Sequence, residues 1–423
     1  MIAAPSSGAG KTSVTLGLLR ALRRSGRSIA PFKSGPDYID TGYHAHAAGH
    51  PSRNLDAWAM TPERLAFLLA NSNGGVETTP IVEGAMGLFD GAADGRGSAA
   101  DLAKLLGLRV ALVVDCAKQS QSVAALVHGF TSFDRGVEVA GVILNKVGSE
   151  RHEAMLRAAL PATNILGVVR RDARLSLPGR HLGLMQAGEL DDLEETLDAL
   201  ADAIEAGTDL DAFEGHAPPG TPGPRRIAPP GQRVAVASDA AFSFCYEHML
   251  ADWRAAGAEV WTFSPLANEG PPKDVDAIFL PGGYPELHAG RLAVAGRFRE
   301  GVGEAAKRGA SIYGECGGYM VLGDGLETED GARHPMLGLL RLETTFRRRR
   351  MQLGYRRVRA LGGPIMGAAR WNAHEFHYCT ASREDGDPLF DARDALDEPL
   401  GPQGLRSERV HGSWMHLIDV SAP

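Results

Sequence analysis

The chain is short of several features whose absence narrows its function. It has four cysteines in 423 residues, Cys116, Cys245, Cys316 and Cys379, scattered without the close spacing of a metal site. Such usage suits a reducing compartment and excludes a disulfide-stapled scaffold, leaving at most one cysteine for chemistry. No apolar run reaches the roughly 18 residues a bilayer-spanning helix needs. The first residues show no basic stretch leading into an apolar one, so a cytoplasmic location is expected. Positive charge is scarce as well. Lys and Arg number 44 against 52 Asp and Glu, and the net charge of -8 excludes any global attraction to nucleic acid or to an anionic membrane. An acidic ligand must therefore be held by a local basic pocket. Glycine is abundant at 52, with 25 prolines, which points to many tight loops on a globular core. The length exceeds one ordinary core, so two domains of about 200 residues are expected.

The boundary is marked by composition. Residues 207–231 include Ala217-Pro218-Pro219-Gly220-Thr221-Pro222-Gly223-Pro224 and Pro229-Pro230, a semi-rigid connector without apolar periodicity. This places one domain at 1–206 and a second at 232–423. In the first, short apolar runs alternate with helical patterns: Ile2 to Ala4, Ser28 to Phe32, Pro80 to Val82, Val110 to Val114, Gly141 to Leu144 and Ile165 to Val169. That rhythm predicts an α/β fold, a mainly parallel sheet wrapped by helices. It restarts at Val234 to Ala237, Glu259 to Phe263, Ala277 to Leu280 and Ala310 to Tyr313, and the chain ends in further strand-like sequence.

Two motifs carry chemistry. Gly8-Ala9-Gly10-Lys11-Thr12 lies between a short strand and a helical run. This is the strand, loop and helix of a phosphate-binding loop, although Pro5 stands where the strict pattern has glycine. Backbone N–H groups and the helix end would hold phosphates, with Lys11 on the β- and γ-phosphates and the Thr12 hydroxyl on Mg²⁺. Glu83 ends a buried strand where α/β folds place ligands, and it is a second Mg²⁺ candidate. Asn145 follows another such strand, with an amide able to pair with a purine edge. Asp37, Asp40 and Asp90 read either as acids beside a reacting group or as turn and cap residues. The other motif is Gly314-Glu315-Cys316-Gly317-Gly318, a strand-to-helix elbow whose glycines permit a strained turn presenting the Cys316 thiol. The turn Pro281-Gly282-Gly283 offers N–H groups that, with Gly317, would stabilise a tetrahedral oxyanion. His374-Glu375-Phe376-His377 lacks both HExxH spacing and a third ligand, so zinc is not expected there. The run Arg347 to Arg350 reads equally as a carboxylate-binding patch or a solvated strand edge.

Three blocks resemble the cobyrinic acid a,c-diamide synthase family: Phe32 to Asp40, Arg53 to Trp58 and Glu83 to Gly91. The first half is also similar to dethiobiotin synthetase, and the second to class I glutamine amidotransferases. The resemblance implies a P-loop synthetase domain joined to an amidotransferase domain. Together they would carry out ATP- and glutamine-dependent amidation of the a and c acetates of a corrin precursor through acyl phosphates. It implies Mg²⁺ on Thr12, Asp56 and Glu83, and Lys11 and Lys33 on the phosphates. Asp37, Tyr38, Ile39, Asp40 and Asp90 would then lie around the substrate carboxylate, and Asn145 would read adenine. It further implies His416, within Gly412 to His416, as the base for Cys316, with His411 as rival, and places His374 and His377 near the tetrapyrrole or the domain interface. The usual triad acid would stand two residues after the histidine, where this chain has Ile418. A protected path for ammonia between the domains is a corollary. The metal-free hydrogenobyrinic acid is favoured over cobyrinic acid and nickel-sirohydrochlorin, and the oligomeric state is left open, a homodimer included. A nucleotide-switched partitioning ATPase is the alternative class. Such proteins carry an early loop lysine where this chain has Ser6, and they have no use for Cys316.

Overall fold

The structure, a computed structural model, describes residues 1–71, 78–180, 183–215, 223 and 227–421. These form two compact units, Met1–Gly223 and Pro224–Pro423. The division falls inside the Pro- and Gly-rich segment, most of whose proline run, 216–222 and 224–226, lies outside the described residues. The start of that segment belongs to the first unit. Gly207 ends the helix Leu193–Gly207, Thr208 bridges to Gly167, and a short 3-10 turn follows at Leu210–Phe213. Among the described residues no helix is long and apolar enough to cross a membrane.

Among its described residues the first unit holds a seven-stranded parallel sheet. Its spatial order is Arg53–Leu55, Ile29–Ser34, Thr79–Glu83, Ile2–Ala3, Val110–Asp115, Val139–Val147 and Ile165–Arg170. Alternation along one strand shows why it is central: Val110, Leu112 and Val114 enter one apolar cluster while Ala111 and Val113 enter the other. A strand buried on both faces reads as a continuous apolar run, which is how it announces itself in sequence. The helix Lys11–Arg24 starts at Gly10, which takes the left-handed conformation with φ 89°, and it closes with Arg23 and Arg24 in its last turn, where the helix dipole favours cations. The C-terminal ends of the strands Ile29–Ser34 and Thr79–Glu83 carry Lys33 and Glu83 side by side in register. The topology thus gathers the charged residues at one sheet edge beside the phosphate loop.

The second unit is built on a ten-stranded sheet that begins parallel and turns antiparallel. Glu259–Phe263, Arg233–Ala237, Ala277–Leu280, Ser311–Glu315 and Val410–Ser413 run parallel, in that spatial order. Pro399–Ser407, Asp387–Asp394, Gln352–Ala360, Arg370–His377 and Met415–Val420 continue it as antiparallel neighbours. The last strand lies far from Ser311–Glu315 in hydrogen-bonding order, yet the Leu417 amide donates to the Glu315 carboxylate at 3.1 Å. The sheet therefore curls on itself, and this curl brings the C-terminal strand against the end of Ser311–Glu315.

Candidate active sites

In the first unit, charged side chains converge behind the phosphate loop. Lys33 is 3% exposed. Its ammonium pairs with Asp40 and, at 2.9 Å, with Glu83 Oε1. The Thr12 hydroxyl donates to the same Glu83 oxygen at 2.7 Å and lies 3.4 Å from Asp40 Oδ2. The other Glu83 oxygen is 2.7 Å from His44 Nε2, and His44 Nδ1 faces the Ser52 hydroxyl at 3.4 Å. Burial alone would raise the Glu83 carboxyl, but Lys33 and His44 hold it well below the usual carboxylate range. Burial opposes charge on Lys33 as well, and Asp40, Glu83 and Asp37 outweigh it. For Asp40 burial and its neighbour Asp37 prevail over Lys33, pushing the carboxyl up to about 7. One carboxylate thus stays ionised while its neighbour is poised to exchange a proton near neutrality.

The remaining acids of this unit hold the backbone in place. Asp37 Oδ1 accepts from the Ile39 and Asp40 amides at the start of helix Ile39–Ala48, which also sets Tyr38 and Ile39 at that helix end. Asp90 Oδ2 accepts from the Gly87 amide at 2.9 Å. Asp56 is buried, and its Oδ1 accepts from the Trp58 and Ala59 amides at 3.0 and 2.9 Å. Among the described residues no group of three His, Cys, Asp or Glu side chains is arranged to hold a metal ion.

Lys11 is buried beneath the loop and donates to the Met86 carbonyl at 2.5 Å. Burial and Lys33 both lower its affinity for a proton. The loop is braced from two strand ends: Asn145 donates to the Ala9 carbonyl at 2.9 Å, and Lys146 spans the Gly8 carbonyl at 3.0 Å and Asp115 at 2.7 Å. From the loop a cavity of about 450 Å³ extends past Val14, Asn145 and Lys146 to Asp172, Leu175 and Leu177. Away from the loop its lining is mixed, with Arg170, Arg171 and Asp172 beside Leu175, Leu177 and Leu184. Gly10 cannot carry a side chain here, since its φ is 89° and a Cβ would lie 2.2 Å from Asn145 Nδ2. Gly10→Ala is expected to weaken nucleotide binding by about tenfold or more. Calorimetric titration checks this, and an unchanged Kd contradicts it.

In the second unit, Cys316 sits at the apex of the elbow with φ 46° and ψ −104°, ahead of the short helix Gly317–Leu322. A non-glycine residue there stores about 1–3 kcal/mol of strain. The flanking glycines make the turn sterically feasible, since a Cβ on Gly318 would lie 1.9 Å from the Leu280 carbonyl oxygen. The turn Pro281-Gly282-Gly283 closes against the elbow: a Cβ on Gly317 would meet the Gly283 amide nitrogen at 2.9 Å. The Phe244 amide ties this loop down through the Gly282 carbonyl at 2.9 Å. His416 is fully buried beside it, and a Cβ on Gly282 would lie only 2.3 Å from its Cε1. His411 lies elsewhere, on the strand Val410–Ser413, its Nε2 3.3 Å from the Glu408 carbonyl. Burial pushes the Cys316 thiol up, and Glu286 adds to it, while burial holds His416 well below its ordinary value. Both groups rest uncharged, Cys316 as a thiol and His416 as a neutral imidazole.

Three buried residues of this unit have surroundings that the sequence does not show. Glu315 is 1% exposed and its Oε2 lies 3.8 Å from His416 Nδ1. His374 pairs in register with His416, and burial lowers it to about 3, so it stays neutral. His377 stacks on Trp414 at 4.4 Å and bonds Glu375 at 2.9 Å, and Glu375 in turn pairs with Arg356 at 2.8 Å. His374 and His377 are therefore buried near Cys316, whose Sγ lies 3.8 Å from the Phe376 carbonyl between them. Arg347 to Arg350 are exposed, with Arg349 paired to Glu329.

Glu315 also gives a pH-dependent stability. Burial raises its carboxyl from 4.5 to about 8. Between these values the folded chain keeps a proton that the unfolded chain has released. Stability is thus fully present below the lower value and falls by about 1.4 kcal/mol per pH unit as pH rises toward the upper. Glu315→Gln is expected to raise the unfolding temperature at about pH 7.5 and change it little at about pH 5. Calorimetric scans at both pH values test this, and an equal shift at both contradicts it.

Comparison with known proteins matches both halves. Residues 1–184 match the CobQ/CobB/MinD/ParA nucleotide binding domain, and residues 233–422 the CobB/CobQ-like glutamine amidotransferase domain. A protein of Brucella anthropi named hydrogenobyrinate a,c-diamide synthase is 55% identical over 99% of this chain and 98% of its own length. A Sinorhizobium protein of the same name is 56% identical over 100% of this chain and 98% of its own. Among solved structures, PurLQS from Thermotoga maritima covers 44% of this chain and 87% of that one at 18% identity, with a TM-score of 0.31, too low to carry weight. Full-length identity at this level, over a chain that holds both a phosphate loop and a cysteine elbow, places the protein in the hydrogenobyrinate a,c-diamide synthase family.

Proposed function

We propose that this chain amidates the a and c acetate side chains of hydrogenobyrinic acid, driven by ATP and taking both nitrogens from glutamine. The observation that supports this most directly is the 55% identity over 99% of the chain to a relative of that name. In the first unit a substrate carboxylate oxygen attacks the γ-phosphorus, ADP leaves, and the acyl phosphate so formed loses phosphate when ammonia attacks its carbonyl carbon. Lys11 and Lys33 counter the charge on the phosphates, and positioning does most of the work in such transfers. The hard oxygen donors Thr12 and Glu83, 2.7 Å apart at the loop, fit Mg²⁺, which would supply neutralisation of the transferring phosphoryl group. Asp40, raised to about 7, is suited to take the proton that the attacking ammonia must shed. Asn145, whose amide already braces Ala9, would present the rest of its polar edge to the adenine.

In the second unit Cys316 attacks the glutamine side-chain amide, the Gly283 and Gly317 amides receive the oxyanion, and His416 carries the proton from sulfur to the departing ammonia. The four free cysteines suit a reducing cytoplasm. Substrate choice is tested by comparing kcat/KM for hydrogenobyrinic acid, cobyrinic acid and nickel-sirohydrochlorin. The reading expects the metal-free acid to lead, and a clear preference for either metallated acid contradicts that choice while leaving the amidation itself intact.

A further inference from the structure

A cysteine and histidine pair works best when a third group fixes the histidine tautomer, and the position two residues after His416 holds Ile418, fully buried. The Ile418 carbonyl accepts from His248 Nε2 at 2.8 Å, so this position is part of the packed strand. We infer that Glu315, the residue immediately before the nucleophile, supplies the carboxylate that orients His416. The inference rests on the reading of Cys316 as the nucleophile that hydrolyses glutamine.

The geometry is specific. Glu315 ends the strand Ser311–Glu315, and its side chain is anchored by the strand that carries the base, since the Leu417 amide donates to Oε1 at 3.1 Å. That bond leaves Oε2 facing His416 Nδ1 at 3.8 Å. The ring is confined at its Cε1 edge by Gly282, where a side chain would meet Cε1 at 2.3 Å. Glu375, the other buried carboxylate near Cys316, is taken up by Arg356 and His377 at 2.8 and 2.9 Å. A carboxylate at Nδ1 favours the tautomer with its proton on Nδ1, which leaves the Nε2 lone pair for the thiol proton.

The steps then balance. The Cys316 proton moves to Nε2 as sulfur bonds to the amide carbon, and ammonia leaves with that proton as the carbon–nitrogen bond breaks. Water adds to the thioester, giving its proton to Nε2, and the proton returns to sulfur as glutamate departs. Glu315 holds the ring and its charge throughout without touching substrate, so it is a positioning residue.

Only its ionised form does this, and a pH window isolates it. The titratable groups facing Glu315 are Cys245, ahead of helix Glu247–Ala255, Tyr313 and Cys316 on its own segment, and His416 from the last strand. Burial pushes the two thiols and the phenol well up and holds His416 well down, which leaves Glu315 alone to ionise on approach to about 8.

The test is steady-state glutamine hydrolysis by the full chain between about pH 6 and 9. The parent is expected to gain kcat toward pH 8; Glu315→Gln is expected to lower kcat by about 100-fold, to leave the KM for glutamine within about twofold, and to lose that rise. In a His416→Ala background it should add no further loss, because its effect runs through the ring. A kcat within about twofold of the parent, or a retained pH rise, overturns the inference. If Glu315→Gln does not fold, Glu315→Asp carries the test: the carboxylate set back by one methylene keeps the pH rise and loses about tenfold in kcat, whereas parental kcat overturns it. Hydrolysis that survives Cys316→Ala would sink the nucleophile reading itself, whereas parental activity in Glu315→Gln sinks only this one.

Discussion

Cys316→Ala is expected to abolish glutamine-driven amidation, by about 10⁵-fold or more, while amidation from added ammonium stays within about twofold of the parent. The size follows from losing the only group that bonds to the amide carbon, and the selectivity from where that group sits. Cys316 belongs to the unit Pro224–Pro423, while the phosphate loop, Lys33 and Glu83 belong to Met1–Gly223. The alanine keeps the elbow's backbone, so the φ of 46° is neither relieved nor worsened and the packing of Gly317 and Gly318 is undisturbed. Rates with each nitrogen donor, measured side by side, decide it. Equal loss with both donors contradicts the division of labour between the units.

Lys11→Ala should have the complementary effect, removing amidation with either donor by about 10³-fold. Among the described residues, buried Lys11 has a carbonyl, that of Met86, as its close hydrogen-bond partner. Its removal strands no buried carboxylate, so the cost to folding is small. Lys33 differs on this point. Lys33→Met would leave Asp40 and Glu83 facing each other without their shared cation, a loss of about 3–5 kcal/mol in stability. Unfolding curves separate the two lysines: Lys11→Ala melts near the parent and Lys33→Met well below it. Amidation that persists in Lys11→Ala would contradict the role of the loop.

How much of this is legible in the sequence depends on whether the signal is local. Val110 to Val114 can be read because a strand covered on both faces is a continuous apolar run, and the two motif loops because glycine at fixed offsets marks a backbone that other residues cannot follow. The antiparallel part of the second sheet is not legible in the same way. Gln352–Ala360 carries Arg356, Arg357 and Arg359 on a half-exposed strand, and its pairing with Arg370–His377 is set by distant contacts. His411 and His416 are five residues apart and cannot be separated by spacing, whereas the fold puts them on different strands, and only His416 meets Glu315 and Gly282. Glu315 itself reads as a variable position inside the elbow. A lone acid closing an otherwise apolar strand is its only signal, and its partner lies a hundred residues away. Lys146 carries no local signal because its two partners, Gly8 and Asp115, come from other strand ends. Asp37 and Asp90 each cap a turn, as one of the two readings has it, and both also stand near the lysines.

The central claim is that nitrogen released from glutamine in the second unit becomes the new amides of a tetrapyrrole acid activated in the first. Its most direct test supplies the full chain with ATP, Mg²⁺, hydrogenobyrinic acid and glutamine labelled with ¹⁵N at the side-chain amide, followed by mass spectrometry of the product. Two labelled amides per tetrapyrrole, with none formed when ATP is left out, is the predicted result. An unchanged tetrapyrrole, or amides that form without carrying the label, would contradict it.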